Sequence, residues 1–209
     1  MIMLESLHDQ MAAKNAARES ALAISRKLVR VSANTIRATH RGQHEDAQAG
    51  LAEGAALVSQ IHTATGGHPD IFHAGYTQDA MKEYAEAHAT VALVAGRPLP
   101  PIEELCVEPG AYLNGVGEAI GELRRAILDA IRHANTDRAE SLLALAEDVH
   151  AALMTFDYPD ALTGGLRRTT DAMRGLLERT RGDVITAVRQ ARLEERLSAC
   201  ERDILHDEA

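Results

Sequence analysis

The first 68 residues of the chain contain no proline, and none falls between Gly110 and Tyr158 or after Pro159. Proline removes a backbone donor and clashes with the preceding turn, so it interrupts helices. Its confinement to a few short clusters leaves long segments in which a helix can run unbroken. Ala, Leu, Glu and Arg fill those segments, and all are strong helix formers. Aromatic residues make up only 3% of the chain, with no Trp, and β-branched residues are sparse. This argues against a β-sandwich or barrel. It also argues against a single-strand binder built on an aromatic stacking platform.

Turn signals divide the chain. They fall at Thr65-Gly66-Gly67-His68-Pro69, Gly96-Arg97-Pro98, Glu108-Pro109-Gly110, Tyr158-Pro159 and Thr163-Gly164-Gly165. The spacing predicts helices over about 4–42, 44–65 and 69–95, then a short turn over 102–106. A fourth helix opens at Pro109 and runs to about 133, since proline suits the first helical position. Asn135-Thr136-Asp137 can cap a fifth helix, ending near 156. Pro159 opens a sixth to about 181, and a seventh covers about 184–205. Gly182 either separates these last two or is absorbed between them. The expected architecture is an all-α bundle of seven long antiparallel helices. No linker is long enough to divide it, so residues 1–209 read as one domain. With 209 residues and 45% hydrophobic content, a core needs no disulfide or metal staple. Cys106 and Cys200 lie far apart without metal spacing and read as free thiols in a reducing compartment. The sequence shows no signal peptide and no run of about 18 apolar residues, so no membrane segment and a cytoplasmic location are expected.

The net charge of −9 argues against a simple basic nucleic-acid binder, but the charge is unevenly spread. Residues 1–43 carry a net +4, residues 44–122 a net −10 and residues 123–209 a net −3. In the first helix, Arg26, Arg30, Arg37 and Arg41 fall within about 60° of arc. Leu22, Val29 and Ile36 flank them at seven-residue intervals. Two readings are open for this stripe. It can track the phosphates of a nucleic acid, or pair with acids of the 44–122 region.

Carboxylates recur at helical spacing further along. Glu83 and Glu86 are three apart, and Glu83 lies at the edge of an apolar stripe of Tyr76, Ala80, Ala87, Val91 and Val94. A carboxylate there is costly unless paired or metal-bound. Glu118 and Glu122 are four apart among Gly115, Gly117 and Gly121. Each glycine costs a helix about 0.5–1 kcal/mol relative to Ala, and close approach of another helix or a ligand is the usual compensation. Carboxylates from two helices can converge on a divalent cation. Mg²⁺ favours such oxygen donors and keeps waters, one of which can attack a phosphodiester. The alternative is ordinary pairing, of Glu122 with Arg125 and of Glu86 with a neighbouring basic group.

Several of these stretches together resemble the translin superfamily, most closely translin-associated factor X and the archaeal translin-like proteins. Ser25-Arg26, Thr35-Ile36 and His40-Arg41 are similar to the family's first helix. Phe72-His73 and Glu83-Tyr84-x-Glu86-Ala87 are similar to its third. The most distinctive element is Tyr112-Leu113-x-Gly115-Val116 followed by Gly121-Glu122-Leu123-x-Arg125. Tyr158-Pro159, Leu166-Arg167-Arg168 and Asp171 are similar to the start of the sixth. The resemblance spans nearly the whole chain. It implies an all-α seven-helix fold assembled into a homo-oligomeric shell, octameric or hexameric, that binds single-stranded RNA or DNA inside. In the factor X branch it implies Mg²⁺-dependent endoribonuclease activity, with Mn²⁺ as a possible substitute; the alternative is a non-catalytic binding shell. The family's catalytic, metal-holding acids match Glu83, Glu86 and Glu118, with Glu122 nearby. Glu118 stands where the family usually has Asp. Arg26 and Arg41 match family positions, whereas Arg30 and Arg37 rest on the helical wheel alone. His73 joins the arginines as an expected nucleic-acid contact.

Overall fold

A computed structural model describes residues 2–207, which are helical with no strand among them. Six long helices carry the architecture: α1 (Ile2–His40), α2 (His44–Thr65), α4 (Gly75–Val94), α6 (Pro109–Arg132), α7 (Thr136–Leu153) and α9 (Leu166–Asp207). Three single turns join them: α3 (Pro69–Phe72), α5 (Ile102–Leu105) and α8 (Asp160–Thr163). Among the described residues, no helix is long and apolar enough to cross a membrane.

The all-α expectation holds, and two of the expected helices are broken. The helix expected over 69–95 breaks at His73-Ala74, where Ala74 is extended. The break is tolerated because side chains take over the freed carbonyls. Thr77 Oγ1 donates to Ile71 O at 2.9 Å and Gln78 Nε2 to Phe72 O at 2.8 Å. The helix expected to open at Pro159 breaks at Gly164-Gly165 into α8 and α9, and of the two alternatives at Gly182 the structure takes the merged one, α9 running straight through it. A glycine costs roughly 1 kcal/mol in a helix, and ties to α6 on either side of it offset that cost. Arg124 bridges to Asp183 at 2.9 Å and donates to Thr180 Oγ1 at 2.7 Å. Elsewhere the local signals are followed: Asn135 accepts from the Arg138 backbone N–H at 3.1 Å, capping α7.

The helices sort into two groups. α1, α2 and α4 enclose one core around Leu28, Ile61, Met81 and Tyr84. α6, α7 and α9 enclose a second with the C-terminal end of α4, around Leu93, Ile120, Leu123, Ile127 and Leu166. The seam between the groups is the contact of α4 with α6. α4 can sit centrally because it is lined with small side chains, and Ala80, Ala85, Ala87 and Ala89 are all essentially buried.

At the seam, Gly115 lies directly on the α4 backbone. A Cβ there would meet Lys82 O at 2.6 Å, Ala85 Cβ at 2.8 Å and Glu86 N at 2.8 Å. Gly117 lies under Thr169 of α9 in the same way, whereas a Cβ on Gly121 would meet nothing within 4 Å. Two of the three glycines therefore serve close approach. Next to Gly115 on α6, buried Asn114 fixes the turn into α9. Its Nδ2 donates to Thr163 O at 2.7 Å, and its Oδ1 accepts from Thr169 Oγ1 at 2.6 Å. That turn uses Gly164 (φ +61°) and Gly165 (φ +87°), a backbone that L side chains rarely adopt.

Two substitutions separate close approach from propensity. Gly115→Ala forces backbone against backbone and should destabilise by about 1–3 kcal/mol. Gly121→Ala fills open space and should stabilise by about 0.5–1 kcal/mol. Chemical denaturation of both variants checks this; equal effects would mean that α6 does not rest on α4 through Gly115.

Candidate functional site: a three-carboxylate cluster beside an arginine-lined helix

The approach at Gly115 decides which side chains meet. It presses α6 onto α4 at residues 82–86, so that Glu118, one turn beyond Gly115, faces Glu83 and Glu86. Carboxylate oxygens of Glu83, Glu86 and Glu118 all lie within 4.8 Å of one another, and each side chain is half-buried. Lys82 Nζ sits 2.7 Å from Glu118 Oε1. Glu122, one turn further along α6, is not part of the cluster. His40 Nε2 from the end of α1 bonds its Oε2 at 2.5 Å.

The electrostatics differ from acid to acid. Burial pushes the Glu86 carboxyl up to about 8, and the charges of Glu83, Glu118 and Glu122 add to that. Glu83 is also raised, chiefly by burial; the Lys82 charge opposes this, while Glu118 and Asp79 reinforce it. Burial alone would lower the Lys82 ammonium. The hydrogen bond and charge of Glu118, with Glu83 and Asp79, outweigh it and hold Lys82 above the usual lysine range. Glu122 goes the other way: the His40 hydrogen bond keeps it below the usual range despite its burial, aided by His40 and Arg125 charge. The cluster is thus short of positive charge at Glu83 and Glu86, while Glu122 is already served. Three carboxylates from two helices, with two resisting ionisation, are a donor set suited to a hard divalent cation. Lys82 contacts Glu118 directly, and its charge at Glu83 and Glu86 does not outweigh their burial.

Arg26, Arg30 and Arg37 lie on α1 as the wheel indicates, and Arg41 sits in the turn just after it. Arg26, Arg30, Arg37 and Arg41 are all exposed. Arg26 donates to Leu22 O and Arg37 to Asn34 Oδ1, and none of the four is in an ion pair among the described residues. The stripe is therefore not paired with the acidic 44–122 region. His40 adjoins Arg41 in sequence and reaches Glu122, so the end of α1 connects stripe to carboxylates. His73 does not join them. It lies exposed at the end of α3, edge-on to the Phe72 ring at 5.0 Å.

Two participants were not singled out by spacing, Lys82 and His40. A lysine at 82 with a glutamate at 86 is an ordinary i,i+4 pair on one helix, yet its partner is Glu118 on the next. Glu122 takes a histidine 82 positions away rather than the adjacent Arg125. Only the α4–α6 and α1–α6 contacts reveal either exchange.

No family model matches the sequence. The chain is 31% identical to an uncharacterised protein of Methanocaldococcus jannaschii over 196 residues, 93% of this chain and 86% of the relative. Among solved structures it is similar to AfC3PO, with a TM-score of 0.84 and 34% identity, covering 91% of this chain and 99% of the other. AfC3PO in complex with duplex RNA matches with a TM-score of 0.83 and 33% identity, over 91% and 98% of the two chains. Apo-NeC3PO, at 20% identity and a TM-score of 0.80 over 88% and 96%, shares the fold.

The raised Glu86 makes a signed prediction for stability. The folded chain binds the Glu86 proton up to about pH 8, whereas the unfolded chain loses it near 4.5. That contribution to stability is present at low pH and lost as pH rises from about 4.5 to 8. In EDTA, Glu86→Gln should therefore be more stable than wild type at pH 8 by several degrees in melting temperature. The gap should close toward pH 5. A constant gap across that range would contradict the assignment.

Proposed function

This chain belongs to the translin superfamily, the family of AfC3PO and NeC3PO, and from that premise we propose that it is a Mg²⁺-dependent endoribonuclease. Its substrate is single-stranded RNA, with single-stranded DNA the second choice, bound inside a homo-oligomeric shell of eight or six copies. The observation that carries this reading is the convergence of Glu83, Glu86 and Glu118 within 4.8 Å. A homologue at 33% identity has been solved with duplex RNA, which supports RNA as the class of ligand.

Glu83, Glu86 and Glu118 would hold the Mg²⁺, or Mn²⁺ in its place. A bound cation of this kind supplies Lewis acidity and an acidic water at a phosphodiester. The rest falls to the chain's own groups. Glu86 keeps a proton near neutral pH and releases it when the cluster gains positive charge. Lys82 offsets the charge of Glu118 and limits repulsion in the cluster. His40 keeps Glu122 ionised but engaged outside it. The exposed arginines of α1, with Arg41 just past its end, offer forked donors to phosphates along the strand. With so few aromatic residues to stack on bases, contacts to the backbone dominate and little sequence preference results.

A second reading, a binding shell without catalysis, draws on one specific contact. Lys82 already places an ammonium 2.7 Å from Glu118, the residue that departs from the family's usual Asp. Labelled single-stranded RNA incubated with Mg²⁺ and with EDTA separates the two. Metal-dependent cutting supports the nuclease, and retention without cutting supports the shell. Glu86→Gln and Glu118→Gln should reduce cutting to the EDTA level with the oligomer intact, while Glu122→Gln retains Mg²⁺-dependent cutting. Wild-type rates in Glu86→Gln would overturn the nuclease reading.

The arginine stripe makes its own prediction. Arg30→Gln should weaken binding to all single-stranded sequences alike and reduce the salt slope of log K by about 0.7 for the lost contact. An unchanged slope would remove the stripe from the binding surface.

A further inference from the structure

Beyond the carboxylates, the charged face of α6 continues. Glu118, Glu122, Arg125, Asp129 and Arg132 follow at alternating four- and three-residue steps, so all five lie within about 80° of arc. The sign changes along the way. The acidic half faces α4, and the basic half opens into a cavity of ≈ 620 Å³ between the ends of α1, α4 and α6 and the start of α7. Arg41, Arg125, Arg132 and Arg138 line it, against a single acid, Asp129. Val94, Ala126 and Leu142 give it an apolar side. In a chain of net charge −9 this is a marked local excess of positive charge.

The four guanidinium groups are not equally engaged. Arg138 is anchored by donating to Val94 O, and Arg132 leans on Asp129 at 3.1 Å. Arg41 and Arg125 are in no ion pair among the described residues. Arg41 is also the last member of the α1 stripe, so the stripe leads into the cavity. Both charged faces stop there, α1 ending at His40 and α6 at Arg132, and α7 contributes a further wall.

We propose that this cavity is a terminal-phosphate subsite, which takes the phosphate monoester at one end of a nucleic-acid strand lying along α1. The proposal rests on the nucleic-acid reading above. An internal phosphodiester carries one negative charge, whereas a terminal monoester carries about −1.5 to −2 at pH 7. Single arginines one or two turns apart along α1 suit the former, and several converging arginines suit the latter. Arg125 lies two turns beyond Glu118, about 10 Å along the α6 axis, and Arg132 about 21 Å. A strand end held there stands within a few nucleotides of the carboxylates, so the protein would cut close to a phosphorylated end.

The test is a binding measurement in EDTA, where no cleavage intervenes. Three versions of one internally labelled single-stranded RNA are compared by fluorescence anisotropy: hydroxyl ends, a 5′-phosphate and a 3′-phosphate. One phosphorylated version should bind roughly tenfold tighter or better than the hydroxyl version. Arg125→Gln combined with Arg132→Gln, both on exposed side chains, should bring that ratio to about one. Arg30→Gln should weaken all three versions and preserve the ratio. Equal binding of the three versions by wild type overturns the proposal, as does a ratio that survives the double substitution. If no version binds at all, the nucleic-acid reading itself fails and this inference with it.

Discussion

At position 115 there is room for a hydrogen atom and nothing more. The α6 helix meets the α4 backbone there, with the Lys82 carbonyl and the Glu86 amide within contact of where a Cβ would stand. The two helix groups of the molecule join along this seam, and the acidic cluster lies on it. A larger residue would separate the helices by a few tenths of an ångström or more, because the obstacle is backbone rather than a flexible side chain. The spacing of Glu83, Glu86 and Glu118 is therefore a consequence of helix packing. The glycine that weakens α6 as an isolated helix is what brings the acids together.

Bringing three carboxylates into partial burial is unfavourable, and the surroundings distribute that cost unevenly. Lys82 relieves Glu118 and His40 relieves Glu122, while Glu86 is pushed up to about 8 by its burial and by the like charges around it. Groups whose environments push their proton affinities apart in one small region are typical of sites that bind cations or move protons. The neighbouring arginines show the complementary arrangement. Those of α1 stay exposed and unpaired with acids, although the 44–122 region carries a net −10. Four acids of that region, Glu83, Glu86, Glu118 and Glu122, are engaged at the α4–α6 seam, and the stripe is left on the open face of α1.

Much of this was legible in the sequence, and what was not has physical reasons. Proline-free segments and helix-forming composition gave the all-α architecture, and the cap at Asn135 was readable because capping is local. The glycines of α6 signalled close approach, although spacing could not say that Gly115 and Gly117 make contacts and Gly121 does not. The break at His73-Ala74 escaped notice because its compensation comes from Thr77 and Gln78 side chains inside the following helix. Spacing left open whether Gly182 ends a helix, and the choice falls to Arg124, far away in sequence, which ties Asp183 and Thr180 to α6. The pairing of the acids was least visible. Lys82 and His40 find partners on other helices, and helical spacing alone offers nearer, wrong partners in Glu86 and Arg125. The resemblance to the translin superfamily placed Glu83, Glu86 and Glu118 together, and the α4–α6 contact gives that grouping its physical cause.

The central claim is that these three carboxylates form one cation site. Anomalous diffraction from crystals soaked in Mn²⁺ tests it without recourse to activity. The account predicts a single strong peak on the α4–α6 seam, within about 2–2.5 Å of oxygens from Glu83, Glu86 and Glu118. A seam without a peak, or an ion held by Glu122 instead of this trio, would contradict it.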